Sequence, residues 1–164
     1  MEDRFRALGI SPGRLLLEPA TSDYLAHLDS YNRVDLALDP FPYAGGTTTV
    51  EALWMGVPVL TLKGDRYVSH MGEGILHHVG LDDWIAEDRA DYVAKAVLYA
   101  TDIEALARLR ARLRAQMLAS PLCDAPRFAR QLEDAFRQMW RIWCDGRRAE
   151  SAFAEPAAVD RADG

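Results

Sequence analysis

Residues 45–49 read Gly-Gly-Thr-Thr-Thr, and Glu51 follows two positions later. Adjacent glycines leave a backbone that another molecule can approach closely, and consecutive threonines are poor helix-interior residues because their hydroxyls compete for nearby backbone groups. They suit a helix N-terminus, where free N–H groups and a partial positive charge favour anions. Gly45 and Gly46 would let the backbone meet a phosphate, and Thr47 and Thr48 would add hydroxyl donors. Glu51, one helical turn beyond Thr47, could accept both hydroxyls of a ribose. The arrangement predicts a nucleotide diphosphate with its sugar, held by turn and helix. A plain capped helix uses the same residues differently, with Thr47 as N-cap, the glycines making a tight turn and Glu51 solvated. The lysine and spacing of a P-loop are absent, so the two readings stay side by side.

Among the histidines, His27 is placed on the helix after "RLLLEP", at the same edge of the sheet, where an imidazole could contact a base or a phosphate. His70, His77 and His78 lie on or near a glycine-rich helix without a carboxylate–cysteine framework, and no metal is expected there. Cys123 and Cys144 are not spaced as a metal knuckle. In a chain with no sign of export they are expected to be reduced thiols.

The elements that must position these residues alternate. A helix "EDRFRALG" is followed by a short strand "RLLLEP" and a helix "SDYLAHLDSYNRV" capped by Ser22 or Asp23. Strand "VDLALD" leads through the glycine-threonine turn into helix "TTVEALWMG", closed by Gly56, and then into the buried strand "VPVLTL". A glycine-interrupted helix "YVSHMGEGILHHVG" and a short strand or connector "DDWIAE" come next. From Asp91 onward the chain is helical: "DYVAKAVLYATD", then 103–120, then 126–144 after the "SPLCDAP" break. Strands spaced by helices predict an α/β fold with a parallel sheet covered on both faces. In such sheets ligands sit at the carboxyl ends of the strands, which is where Asp39 hands over to the turn. A parallel domain normally opens on its central strand; this sequence opens on a helix and offers about four strands, so the front of the domain is expected to be missing. Residues 147–164 are polar, alanine-rich and aperiodic, and are expected to be a disordered tail.

The 164 residues suit one domain, and 49% hydrophobic with 27% charged residues is an ordinary globular composition. Apolar runs fall short of a membrane span and the start lacks a signal peptide's pattern, so a cytoplasmic location and no membrane partner are expected. A net charge of −6 argues against a nucleic-acid partner. The run "RLRARLRAQ" is read as a solvated face on a helix whose apolar side is Leu106, Leu109, Leu113 and Met117.

Several separated blocks, "LDPFPYAGGTTTVEALWMGVPVLTL", "HHVGL" and "SPLCDAPRFARQLEDAFRQMW", with the spacing between them, resemble the C-terminal part of the protein O-glycosyltransferases of the O-linked N-acetylglucosaminyltransferase and SPINDLY type. The resemblance runs from Arg4 to about Gly146. It implies a GT-B architecture of two Rossmann-like lobes with a nucleotide-sugar between them, residues 1–146 supplying most of the second lobe. It gives Thr47 and Thr48 the diphosphate, Glu51 the ribose, and His27 a place beside the nucleotide. No metal cofactor is implied; the donor is UDP-GlcNAc or GDP-fucose, and the acceptor is Ser or Thr of a protein. Gly46 stands where the N-acetylglucosaminyltransferases have histidine and Ala44 where they have asparagine, and "DPFPYAG" is closer to SPINDLY, an O-fucosyltransferase. The family's diphosphate lysine and its proposed acceptor-side histidine belong upstream, so no catalytic residue is assigned within this sequence and the chain alone is expected to be incomplete and inactive. The alternative is a non-catalytic nucleotide-binding or interaction module derived from such an enzyme.

The last helix carries Phe128, Leu132, Phe136, Met139, Trp140 and Trp143 at three- and four-residue intervals. That stripe either closes this lobe's own core or, as the resemblance implies, contacts the first lobe.

Overall fold

A computed structural model describes residues 2–18 and 23–144; the expected tail lies outside the described residues. Three short parallel strands form the sheet: β1 (Ala37–Leu38), β2 (Val59–Leu62) and β3 (Ile85–Ala86), in the order β1-β2-β3. Ala37 pairs with Val59 and Leu38 with Leu60, and on the other side Thr61 pairs with Ile85 and Leu62 with Ala86. The run "VPVLTL" is central, and five residues of it, Val57 to Thr61, are almost wholly buried, as a strand covered on both faces requires.

The described residues form seven α-helices: α1 (Glu2–Ala7), α2 (Tyr24–Ser30), α3 (Thr47–Trp54), α4 (Tyr67–Val79), α5 (Arg89–Thr101), α6 (Ile103–Leu118) and α7 (Ala125–Cys144). The sequence signals for their ends hold. Asp23 caps α2 by accepting from the Leu25 and Ala26 N–H groups. Gly56 and Gly80 adopt positive φ beyond α3 and α4, where a side chain would be strained. Leu106, Leu109, Leu113 and Met117 of α6 all enter the core with Leu53, Leu60 and Leu76. Full burial of one such leucine is worth roughly 1.5–3 kcal/mol.

Three expectations change. The run "RLLLEP", 14–19, read as a strand, is not part of the sheet over its described residues: Arg14 ends the turn Pro12–Arg14, no strand among the described residues lies beside 15–18 to complete a ladder, and Leu16 and Leu17 are exposed. The arginines of α6 are not all solvated: Arg110 donates to the carbonyls of Val34 and Asp35, and the Arg114 guanidinium lies 4.3 Å from the Trp54 ring centroid. These two side chains tie α6 to the approach of β1 and to α3. Finally, α7 starts against the turn at Pro121–Cys123, and its apolar stripe faces outward, with Phe128, Phe136, Met139, Trp140 and Trp143 all more than half exposed. Closure of the lobe's own core is therefore excluded for that stripe.

Candidate nucleotide-sugar site

Asp39 directly follows β1, and the chain then loops through residues 40–46 to reach α3. The loop is held from several sides. The Ala44 N–H donates to the Val68 carbonyl at 3.1 Å, and the Tyr92 hydroxyl donates to the Asp39 carbonyl at 2.9 Å. Phe41 meets Tyr92 edge-on, with ring centroids 5.5 Å apart, and the Arg89 guanidinium lies 5.4 Å from the Phe41 ring centroid. The Tyr92 hydroxyl is pushed up to about 12 by burial and then by the Asp39 charge, so it stays a neutral donor.

α3 begins at Thr47, with Gly46 as N-cap and no side chain capping it. Thr47 is therefore not the N-cap that a plain capped helix would use. Thr47 is the first helical residue, one place past the cap position, so the first turn keeps the free N–H groups expected of an uncapped helix start. Thr47 and Thr48 are exposed, and neither hydroxyl has a hydrogen-bond partner among the described residues. Thr49, in contrast, is buried. Gly45 needs its missing side chain for an internal reason: a Cβ there would come within 2.7 Å of Thr49 Oγ1 and 2.8 Å of Thr48 Oγ1. At Gly46 a Cβ would meet only the flexible end of Met71, at 3.0 Å.

One turn further, Glu51 faces α2. His27 Nε2 lies 3.2 Å from Glu51 Oε2, and the Glu51 side chain is 13% exposed. Tyr31 packs edge-on against His27 at 5.5 Å and donates its hydroxyl to the Thr48 carbonyl at 3.3 Å. The hydroxyls of Tyr24 and Tyr31 are raised above their usual value by burial and then by the Glu51 charge. Thus α2 and α3 together bring His27, Glu51, Thr47 and Thr48 to the edge where β1 ends. Glu51 is mostly enclosed, unlike the solvated carboxylate of the plain-helix reading.

Sequence reasoning passed over Asp39 and Thr61. Asp39 is 4% exposed, and its carboxylate accepts from the Gly45 N–H at 2.7 Å and from Thr61 Oγ1 at 2.6 Å. Burial raises its pKa above the ordinary carboxylate value, against the lowering effect of those two bonds. An acidic residue ending an apolar strand, just before a glycine turn, was the available signal.

The other histidines engage neighbours: His70 Nδ1 with Glu73, His77 Nδ1 with Asp82, each at 2.6 Å, and His78 Nδ1 with the Gly74 carbonyl at 2.7 Å. A cavity of about 500 Å³ between α4 and β3 is lined by Lys63, His70, Glu73, His77, Asp82 and Glu87, whose charges pair among themselves and lie away from the threonine turn. Among the described residues no three His, Cys, Asp or Glu side chains gather to hold a metal. Cys123 and Cys144 are exposed and free, and no described helix is long and apolar enough to cross a membrane.

Parallel strands flanked by helices, with a helix opening just past the end of one of them, are the arrangement of a Rossmann-like lobe. The chain belongs to glycosyl transferase family 41, which matches residues 1–132. It is 42% identical over 139 residues to a protein of Solanum lycopersicum named probable UDP-N-acetylglucosamine–peptide N-acetylglucosaminyltransferase SPINDLY, covering 85% of this chain and 15% of that one. A Caenorhabditis elegans UDP-N-acetylglucosamine–peptide N-acetylglucosaminyltransferase is 28% identical over 138 residues, covering 84% of this chain and 12% of its own. A solved structure, a K341M mutant of Thermobaculum terrenum O-GlcNAc transferase, superposes with a TM-score of 0.79 at 37% identity, over 88% of this chain and 28% of that one. The expected architecture, a parallel sheet flanked by helices as in part of a GT-B enzyme, is thereby borne out. The chain spans about 15% of the length of the SPINDLY relatives it matches.

Proposed function

We propose that this chain is the donor-binding part of a protein O-glycosyltransferase, which moves GlcNAc from UDP-GlcNAc or fucose from GDP-fucose onto Ser or Thr of a protein. The observation that carries this reading is the uncapped start of α3, with the Thr47 and Thr48 hydroxyls exposed beside it and the Glu51–His27 pair one turn away. The names of the family relatives supply the reaction class.

In this reading the diphosphate lies against the Gly45–Gly46 turn, where the first-turn N–H groups and the two hydroxyls meet its oxygens. Negative charge grows on the diphosphate as the sugar leaves, so donors fixed before the reaction stabilise the transition state more than the ground state. Glu51 accepts from the ribose hydroxyls with its remaining lone pairs, and His27 orients the carboxylate while flanking the nucleotide. At residue 46 a Cβ would meet Met71 Cε at 3.0 Å, so a larger residue would have to displace that side chain. The SPINDLY-named and the nematode relatives are both named as UDP-N-acetylglucosamine–peptide transferases, so the choice between the two donors rests on the transfer assay. The test is transfer of labelled sugar to protein from UDP-GlcNAc and from GDP-fucose, with the upstream lobe of a relative supplied in trans. Transfer from either donor supports the reading, and folded chain that supports neither leaves a non-catalytic module.

A further inference from the structure

The carboxylate of Asp39 is the most deeply placed charge beside the threonine turn, and the fold makes room for it deliberately. Its Oδ1 accepts the Gly45 N–H at 2.7 Å and its Oδ2 accepts the Thr61 hydroxyl at 2.6 Å, so both oxygens are fixed. Gly72 of α4 closes the pocket: a Cβ there would stand 2.5 Å from Thr61 Oγ1 and 2.6 Å from Asp39 Oδ2. Three elements, β1, β2 and α4, thus converge on one carboxylate whose only backbone ligand among the described residues is the first glycine of the turn. With 4% exposure, Asp39 does not itself reach a ligand in solvent.

Building on the donor-site reading above, we propose that Asp39 is a positioning residue for the diphosphate turn. Thr61 orients the carboxylate, the carboxylate fixes the Gly45 amide, and the fixed amide sets where Gly46 and the first turn of α3 present their N–H groups. Gly45 cannot be anchored through a side chain, because the hydroxyls of Thr48 and Thr49 fill that space. The loop therefore depends on a bond to its backbone. A turn ordered before the ligand arrives loses less conformational entropy on binding, which is what such a bond contributes to affinity.

The test uses the full chain and two readouts: calorimetric titration with UDP and GDP well below the melting temperature, and hydrogen exchange of the Gly45 amide without ligand. Asp39→Ala should weaken nucleotide binding about tenfold or more and release the Gly45 amide to exchange. Asp39→Asn, which keeps a carbonyl oxygen for Gly45, should restore both. Thr61→Val keeps the side-chain shape and should move both readouts in the same direction as Asp39→Ala, which decides the matter if the alanine variant does not fold. Wild-type affinity in Asp39→Ala or in Thr61→Val overturns the proposal. If the wild-type chain binds neither nucleotide, the donor-site reading fails by itself; a Gly45 amide that is protected in the wild type and released in the variants then still supports the anchoring, and an unprotected one overturns it.

Discussion

His27 Nε2 stands 3.2 Å from Glu51 Oε2, joining two side chains 24 positions apart that the sequence assigned separately to the nucleotide and to its ribose. The pair gives Glu51 a fixed direction and leaves it mostly enclosed by α2. If that carboxylate reads the ribose, Glu51→Ala should remove the preference of the chain for UDP over its 2′-deoxy analogue. Hydrogen bonds to a charged acceptor are worth about 1.5–3 kcal/mol, so the loss should be plain in a calorimetric comparison. An unchanged preference would separate Glu51 from the sugar.

Thr48→Val keeps the shape of the side chain and removes its hydroxyl. Because the Thr48 hydroxyl is not used to cap α3, folding should change little, while nucleotide affinity should fall by roughly 1–3 kcal/mol. Melting curves and titrations on the same preparation check both halves. A lower melting temperature with unchanged affinity would favour a structural role for the hydroxyl.

Asp39 should reveal itself in the pH dependence of stability. Its folded-state pKa is raised above 3.8, so in the window just above that value the folded state holds its proton more firmly than the unfolded state. Stability from this group is therefore fully present below the unfolded pKa and is lost as pH rises through the folded one. Denaturant unfolding of wild type and Asp39→Asn across pH should show the difference shifting toward the wild type as pH falls from neutral toward 4. A difference that is flat with pH would mean that Asp39 titrates normally.

The outward stripe of α7 predicts association. Phe128, Leu132, Phe136, Met139, Trp140 and Trp143 form an apolar face along most of the helix, and faces of that kind drive self-association in isolated chains. Sedimentation should show concentration-dependent oligomers that dissociate in a Trp140→Glu, Trp143→Glu double variant. A monomer at all concentrations would show that the stripe is tolerated in water.

Local signals made much of this legible. The caps at Asp23, Gly56 and Gly80, the apolar face of α6 and the central run "VPVLTL" each follow from chemistry within a few residues, and the chain obeys them. What failed depended on distant partners. The strand expected at 15–18 has the right residue types but no neighbouring ladder among the described residues, and Arg110 and Arg114 carry no mark in sequence that a carbonyl and an indole await them. The site divided in the same way. The threonine turn was readable because its oddity is local, whereas Asp39 gains its meaning from Thr61 and Gly72, 22 and 33 positions away in the chain.

The central claim is that the start of α3 with its threonines binds a nucleotide diphosphate, and titration of the folded chain with UDP, GDP, UDP-GlcNAc and GDP-fucose tests it most directly. The account predicts saturable binding of one nucleotide and its sugar, weakened in Thr48→Val and in Glu51→Ala. A well-folded chain that binds none of the four would contradict it.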